Sequence, residues 1–112
     1  AIMSNDVAVH PEDSLENMQR WAAELNFPFP YLFDESQAIA RAYGAVCTPD
    51  YFGYNHALQL QYRGRLDGSG RQPAAPDARR ELFEAMSAVA QIGRGPALQS
   101  PSIGCSIKWK AD

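Results

Sequence analysis

The nonapeptide Ala42-Tyr43-Gly44-Ala45-Val46-Cys47-Thr48-Pro49-Asp50 decides how this chain is read. Before it, Ala38, Ile39, Ala42 and Tyr43 recur at helical spacing and give a narrow apolar face. Asp34, with Gln37 three residues later, reads as the opening of that helix. Gly44 falls where a left-handed residue ends a helix. After the stretch, Tyr51-Phe52-Gly53-Tyr54 reads as a strand. Thr48-Pro49 therefore lies between a helix and a strand. Proline removes a ladder hydrogen bond inside a central strand but is tolerated at a strand entrance. An X–Pro bond there can be cis, because the trans preference before proline is only about 0.5–1 kcal/mol.

Toward the C-terminus, Asn55-His56 is a turn signal. Leu58, Leu60 and Tyr62 alternate with Gln59, Gln61 and Arg63, as in a half-buried antiparallel strand. Residues 51–63 are thus expected to form a hairpin. Gly64 to Pro76 is rich in turn formers and reads as an irregular loop. Asp77 is expected to cap a third helix reaching about Ile92, with Leu82, Met86 and Val89 as its apolar stripe and Phe83 and Ala90 beside it. Gly93 and Gly95 end it, and a tail runs from Pro96 to Asp112.

Toward the N-terminus, Asp13 and Glu16 have capping-box spacing. Leu15, Met18, Ala22 and Leu25 follow on one helical face, widened by Trp21. Phe27-Pro28-Phe29-Pro30 stops that helix. Tyr31-Leu32-Phe33 reads as a strand or a buried extended segment. Ala1-Ile2-Met3 reads as the end of a buried strand, so the chain is expected to begin partway through an element. Helices alternating with strands argue α/β, with the hairpin as an antiparallel edge. The expected organisation is one domain over residues 1–95, with residues 96–112 as a tail packing on it.

The chain has 112 residues, which bounds it to a single domain. Its net charge is −3, with 10 basic against 13 acidic residues, so it lacks the cationic surplus that phosphate backbones require. No apolar run reaches the roughly 18–20 residues of a membrane span, and no signal-peptide pattern opens the chain. Nucleic-acid and membrane partners are therefore not expected. Two cysteines are too few for a disulfide scaffold and point to a cytoplasmic location.

The chemistry-bearing residues are few. His10 and His56 stand apart with no Cys/His cluster, so no metal is expected. Gly68-x-Gly70 lacks the Lys-Ser/Thr of a phosphate loop, and no cofactor is expected. Asp13, Glu16, Asp34 and Glu35 sit at helix starts, where capping and the helix dipole account for them. Cys47 and Cys105 remain as candidate catalytic thiols, although neither opens an expected helix, where a thiol pKa is lowered.

Several stretches resemble one known family. They are Ser4-Asn5-Asp6, Pro11-Glu12-Asp13-Ser14, the run from Phe27 to Glu35, the run from Ala42 to Asp50, Tyr62-Arg63-Gly64 and the run from Pro101 to Trp109. The chain is similar to the thioredoxin-like superfamily, in its bacterial-type redoxin branch related to alkyl hydroperoxide reductase and thiol-specific antioxidant proteins. The resemblance implies a cis Thr48-Pro49 bond. It also implies that Cys47, Thr48 and Pro49 form a loop that pairs with an extended peptide or thiol substrate. It further implies a redox cysteine motif on a strand–helix unit that precedes the matching region, a unit expected to be missing from these 112 residues.

The expected fold is accordingly an incomplete thioredoxin-like α/β fold: a mixed sheet with a C-terminal β-hairpin, flanked by helices. The expected function is that of a binding or assembly module without thiol–disulfide or peroxide turnover of its own. The alternative is a thiol–disulfide oxidoreductase or peroxidase that uses Cys47, Cys105 or an upstream Cys-x-x-Cys. A sheet lacking its central strand leaves open edges and uncovers Leu15, Leu25, Phe52 and Leu60, so a homodimer or higher homo-oligomer is expected. The rival is a monomer whose tail folds back through Ile103, Ile107 and Trp109.

Overall fold

The computed structural model describes residues 1–111 and divides into two compact units, Ala1–Val46 with Ile107–Asp112, and Cys47–Ser106. Residues 96–106 of the expected tail thus belong to the second unit, and the residues after them to the first.

In the first unit, strand β1 (Ile2–Met3) pairs in parallel with β2 (Leu32–Phe33), Ile2 opposite Leu32 and Met3 opposite Phe33. Helix α1 (Leu15–Glu24) joins them as a crossover. Its N-cap is Ser14, in extended conformation, whose hydroxyl accepts the Asn17 amide at 3.2 Å. This corrects the expected Asp13 cap. Pro11 starts a 3-10 turn over Pro11–Asp13, which delays the helix by a residue, and Asp13 instead accepts from Asn5 Nδ2 at 3.0 Å. On α1 only Met18 is buried; Leu15 and Trp21 are exposed, as is Leu25 just past its end. Beyond it Phe27 stacks on Phe29 and meets Tyr31 edge-on, holding the proline-rich exit.

Helix α2 (Ala38–Tyr43) starts later than Asp34, correcting that expectation too. Gln37 immediately before it has a left-handed backbone, φ +66°, which a continuing helix excludes. Asp34 still serves the helix start from outside: its carboxylate accepts the amides of Ile39 at 3.3 Å and Ala40 at 2.9 Å. Gly44 ends α2 at φ +73°, as its position after Tyr43 requires.

In the second unit, β3 (Cys47–Thr48) pairs antiparallel with β6 (Cys105–Ser106). The expected hairpin is β4 (Tyr51–Tyr54) against β5 (Leu60–Gly64). Asn55 Oδ1 closes its turn by accepting the amides of Ala57 and Gln59, each at 3.0 Å. The alternation expected for Leu58, Leu60 and Tyr62 is not kept. Leu58 sits in the turn at φ +59° and is 82% exposed, and a register shift at Gly53/Tyr54 breaks the period, leaving Leu60 exposed and Tyr62 buried.

Helix α3 (Glu81–Ile92) packs its Met86 thioether against Gly53, where a Cβ would collide with the sulfur. Ala85 and Val89 are its buried residues. It begins four residues after Asp77, so Asp77 is not its cap. Glu81 in its first turn instead takes a bidentate ion pair from Arg65, with Nη2 to Oε1 at 2.8 Å.

Among the described residues, parallel and antiparallel pairing are thus both present, distributed over three two-stranded sheets rather than one continuous sheet. The element order and this mixed pairing make up an incomplete thioredoxin-like α/β fold.

Candidate functional site

The β3–β6 ladder holds three of the four residues singled out in the sequence, Cys47, Thr48 and Cys105, and Pro49 follows it directly. Thr48 lies opposite Cys105 and Cys47 opposite Ser106. The Thr48–Pro49 peptide is cis, and both of its residues are exposed. Thr48 Oγ1 lies 3.5 Å from the Cys105 carbonyl, a long contact. Gly104 packs so closely on the Thr48 carbonyl that a Cβ there would overlap it. The glycine before Cys105 is therefore what lets β6 approach the Thr-Pro loop.

Residues directly opposite in an antiparallel pair share a face, and neighbours along a strand alternate. Thr48 and Cys105 therefore share one face of the ladder, and Cys47 and Ser106 share the other. The two cysteines, both free thiols, point away from each other.

Their surroundings differ. Cys47 is half-buried, and its Sγ lies 3.7 Å from the Pro49 carbonyl. Burial first, and then the Asp50 carboxylate, push its thiol above the ordinary value, with Arg63 pulling weakly the other way. Cys105 is exposed, and Arg71 Nη2 approaches its sulfur to 3.0 Å.

The Thr-Pro loop is anchored from behind by Asp50. Its carboxylate is nearly fully buried, lies 3.5 Å from Arg63 Nη2, and receives Ser102 Oγ at 2.6 Å. Ser102 Oγ also lies 2.7 Å from the Gly64 carbonyl. Sequence reading missed the partnerships of Arg71, Ser102 and Asp50. Arg71 is 34 residues from Cys105, and Ser102 is 52 from Asp50, so no local spacing could announce them. The one signal was the Asp that follows Thr-Pro.

Among the described residues no cluster of three or more His, Cys, Asp or Glu could hold a metal ion, and no helix is long and apolar enough to cross a membrane. His10 pairs locally, with Nδ1 2.7 Å from Glu12.

A family model described as the AhpC/TSA family matches residues 5–67. No curated protein matches the chain. Among solved structures, an uncharacterized conserved protein from Geobacillus kaustophilus is 49% identical with a TM-score of 0.89. A hypothetical protein from Sinorhizobium meliloti 1021 is 42% identical with a TM-score of 0.90. Each match covers 100% of this chain, but only 59% and 61% of the respective relatives, so the chain spans about three-fifths of their length.

Proposed function

The chain belongs to the AhpC/TSA family, and from that premise we propose that these residues are the binding and assembly part of a redoxin-type thioredoxin-like protein, without thiol–disulfide or peroxide turnover of their own. The observation that carries this reading is the setting of Cys47. It lies on a strand rather than at a helix N-terminus, and burial with Asp50 pushes its thiol up. A thiol held protonated is a poor nucleophile, because the thiolate is the attacking species. Thr48 and Pro49, exposed beside it, are the residues this reading assigns to an extended peptide or thiol substrate, with Gly104 and Asp50 holding the loop.

The test is dithiothreitol-dependent insulin reduction and peroxide consumption by the 112-residue chain. The expected rate equals that of a Cys47→Ser/Cys105→Ser variant. Turnover well above that variant overturns the reading.

One observation favours a second reading, in which the chain is an oxidoreductase working through Cys105. Cys105 is the exposed thiol, and its sulfur has the Arg71 guanidinium at hydrogen-bond distance. On that reading the single Cys105→Ser change abolishes turnover and Cys47→Ser leaves it intact. A Cys-x-x-Cys motif outside these residues would place the chemistry elsewhere, and then both variants of a longer protein keep their activity.

A further inference from the structure

Strand β5 pairs with β4 along one edge, and among the described residues no strand pairs with its other edge. A bare strand edge is a template for pairing with another chain. The side chains beside this one add to the hazard. Leu60 on β5 is 48% exposed, and Leu98, in the segment that follows α3, is 92% exposed. Apolar side chains next to unpaired strand groups are the usual setting of edge-to-edge association.

The main-chain groups of that edge are nonetheless occupied, and the occupant is a side chain. Gln99 Nε2 donates to the Gln61 carbonyl at 2.8 Å, and Gln99 Oε1 accepts the Arg63 amide at 2.9 Å. A carboxamide carries the donor and the acceptor of a peptide group. Here one carboxamide makes, to two alternate residues of β5, the pair of bonds that one residue of an added strand would make. Its second N–H donates to the Pro96 carbonyl at 2.9 Å, which fixes the side chain in this direction. Two longer contacts continue the cover on either side: the Gly95 amide to Gln61 Oε1 at 3.3 Å, and the Arg65 amide to the Ser100 carbonyl at 3.4 Å. Gln99 is itself exposed, so burial of its side chain does not account for the arrangement.

We propose that Gln99 guards the β5 edge: by holding the Gln61 carbonyl and the Arg63 amide it keeps β5 from pairing with the β5 of a second copy. A second copy is the occupant that an opened edge would meet, because it carries the same edge, and two identical edges close about a two-fold axis. The guard is independent of Cys47 and Cys105.

Gln99→Ala in the full chain tests it, read by sedimentation equilibrium and by hydrogen exchange at the Arg63 amide. In the unaltered chain that amide is expected to be protected to the same extent in dilute and in concentrated solution. In dilute Gln99→Ala it should exchange about fivefold faster, the effect of losing one net hydrogen bond. As the concentration of the variant rises, its mass is expected to climb above that of the unaltered chain while Arg63 regains protection, because strand pairing replaces the lost bond. Gln99→Glu keeps an acceptor for the Arg63 amide and places a charge on the edge, so it should not associate further. Leu60→Lys added to Gln99→Ala should likewise abolish the extra association. Three results overturn the guard. The first is a folded Gln99→Ala chain whose mass matches the unaltered chain at every concentration. The second is equal association of the Ala and Glu variants, which marks a loosened fold instead of an opened edge. The third, which needs no variant to fold, is an unprotected Arg63 amide in the unaltered chain.

Discussion

Cys47 and Cys105 occupy successive rungs of one two-residue ladder and face opposite sides of it. A disulfide needs Cβ atoms directed at each other about 3.5–4.5 Å apart, so joining these two requires breaking the ladder. The folded chain is therefore expected to keep two free thiols under mild oxidation, with no intramolecular bridge. A two-dalton mass loss in the non-reduced, folded monomer would refute this.

The two thiols should also differ in reactivity. Cys47 is half-buried and its thiol is pushed above the ordinary 9.0 by burial and Asp50. Its labelling by iodoacetamide at neutral pH is expected to be slower than that of exposed Cys105, and to accelerate only on the alkaline side of 9. Asp50→Asn removes the second of the two causes, and so should speed Cys47 labelling in the folded protein. Equal rates for the two cysteines at pH 7 count against this account of the site.

Gly104 is expected to tolerate no side chain. A Cβ there overlaps the Thr48 carbonyl, which is backbone and cannot swing aside. Gly104→Ala should destabilise the chain by about 1–3 kcal/mol, the usual cost of overpacking. Thermal unfolding measures it. An unchanged midpoint would mean that β6 does not approach the Thr-Pro loop as closely as described.

Much of this was legible in the sequence where the determinant is local. Gly44 after Tyr43 and the Asn55 turn each rest on residues within a few positions of one another, whereas of the expected α3 stripe only Val89 is buried, together with Ala85, which the stripe omitted. The expectation failed where a distant partner or a turn intervened. Asp13 carried the capping signal, but the 3-10 turn made Ser14 the cap. Gln37 read as the N3 member of a helix opened by Asp34, yet it adopts a left-handed backbone, with its amide bound to residues 4, 108 and 110. The site divided in the same way. Thr48, Pro49 and Cys47 stood out by their sequence context, whereas Arg71, Ser102 and Gly104 matter only because chain closure brings β6 beside β3.

Asp34 gives the chain an acid limit. Burial alone would raise its carboxyl, but hydrogen bonds from Ala40, Ser4, Ile39 and Gln37 outweigh it and hold the group below the ordinary 3.8. A carboxyl whose folded value is depressed contributes stability that is fully present above the unfolded value. That contribution is lost as pH falls through the folded one. Stability is therefore expected to fall below about pH 4, and Asp34→Asn should flatten that part of the profile. At pH 7 the same change should cost about 1–3 kcal/mol, because the amide accepts fewer and weaker bonds. Urea unfolding of both proteins at pH 7 and pH 3 checks it. An equal difference at the two pH values would exclude the carboxylate as the source.

The β1–β2 ribbon supplies the argument for assembly. In its register Met3 and Phe33 share one face, and Ile2 and Leu32 share the other. Met3 is buried, whereas Ile2 is 42% and Leu32 50% exposed. Parallel strands are ordinarily covered on both faces, and a two-stranded sheet is marginal without cover. Leu15 and Trp21 on α1, and Leu25 just past it, add further exposed apolar side chains. A second copy of the chain is the occupant expected to cover this ribbon in solution, through a closed two-fold contact. Sedimentation equilibrium at micromolar concentration should therefore give a species of twice the 12.4 kDa chain mass. Leu32→Asp should shift it to the monomer, because a charge opposite Ile2 cannot be buried unpaired. A single 12.4 kDa species for the unaltered chain would overturn the dimer, and a Leu32→Asp chain that stays dimeric would move the contact off this ribbon.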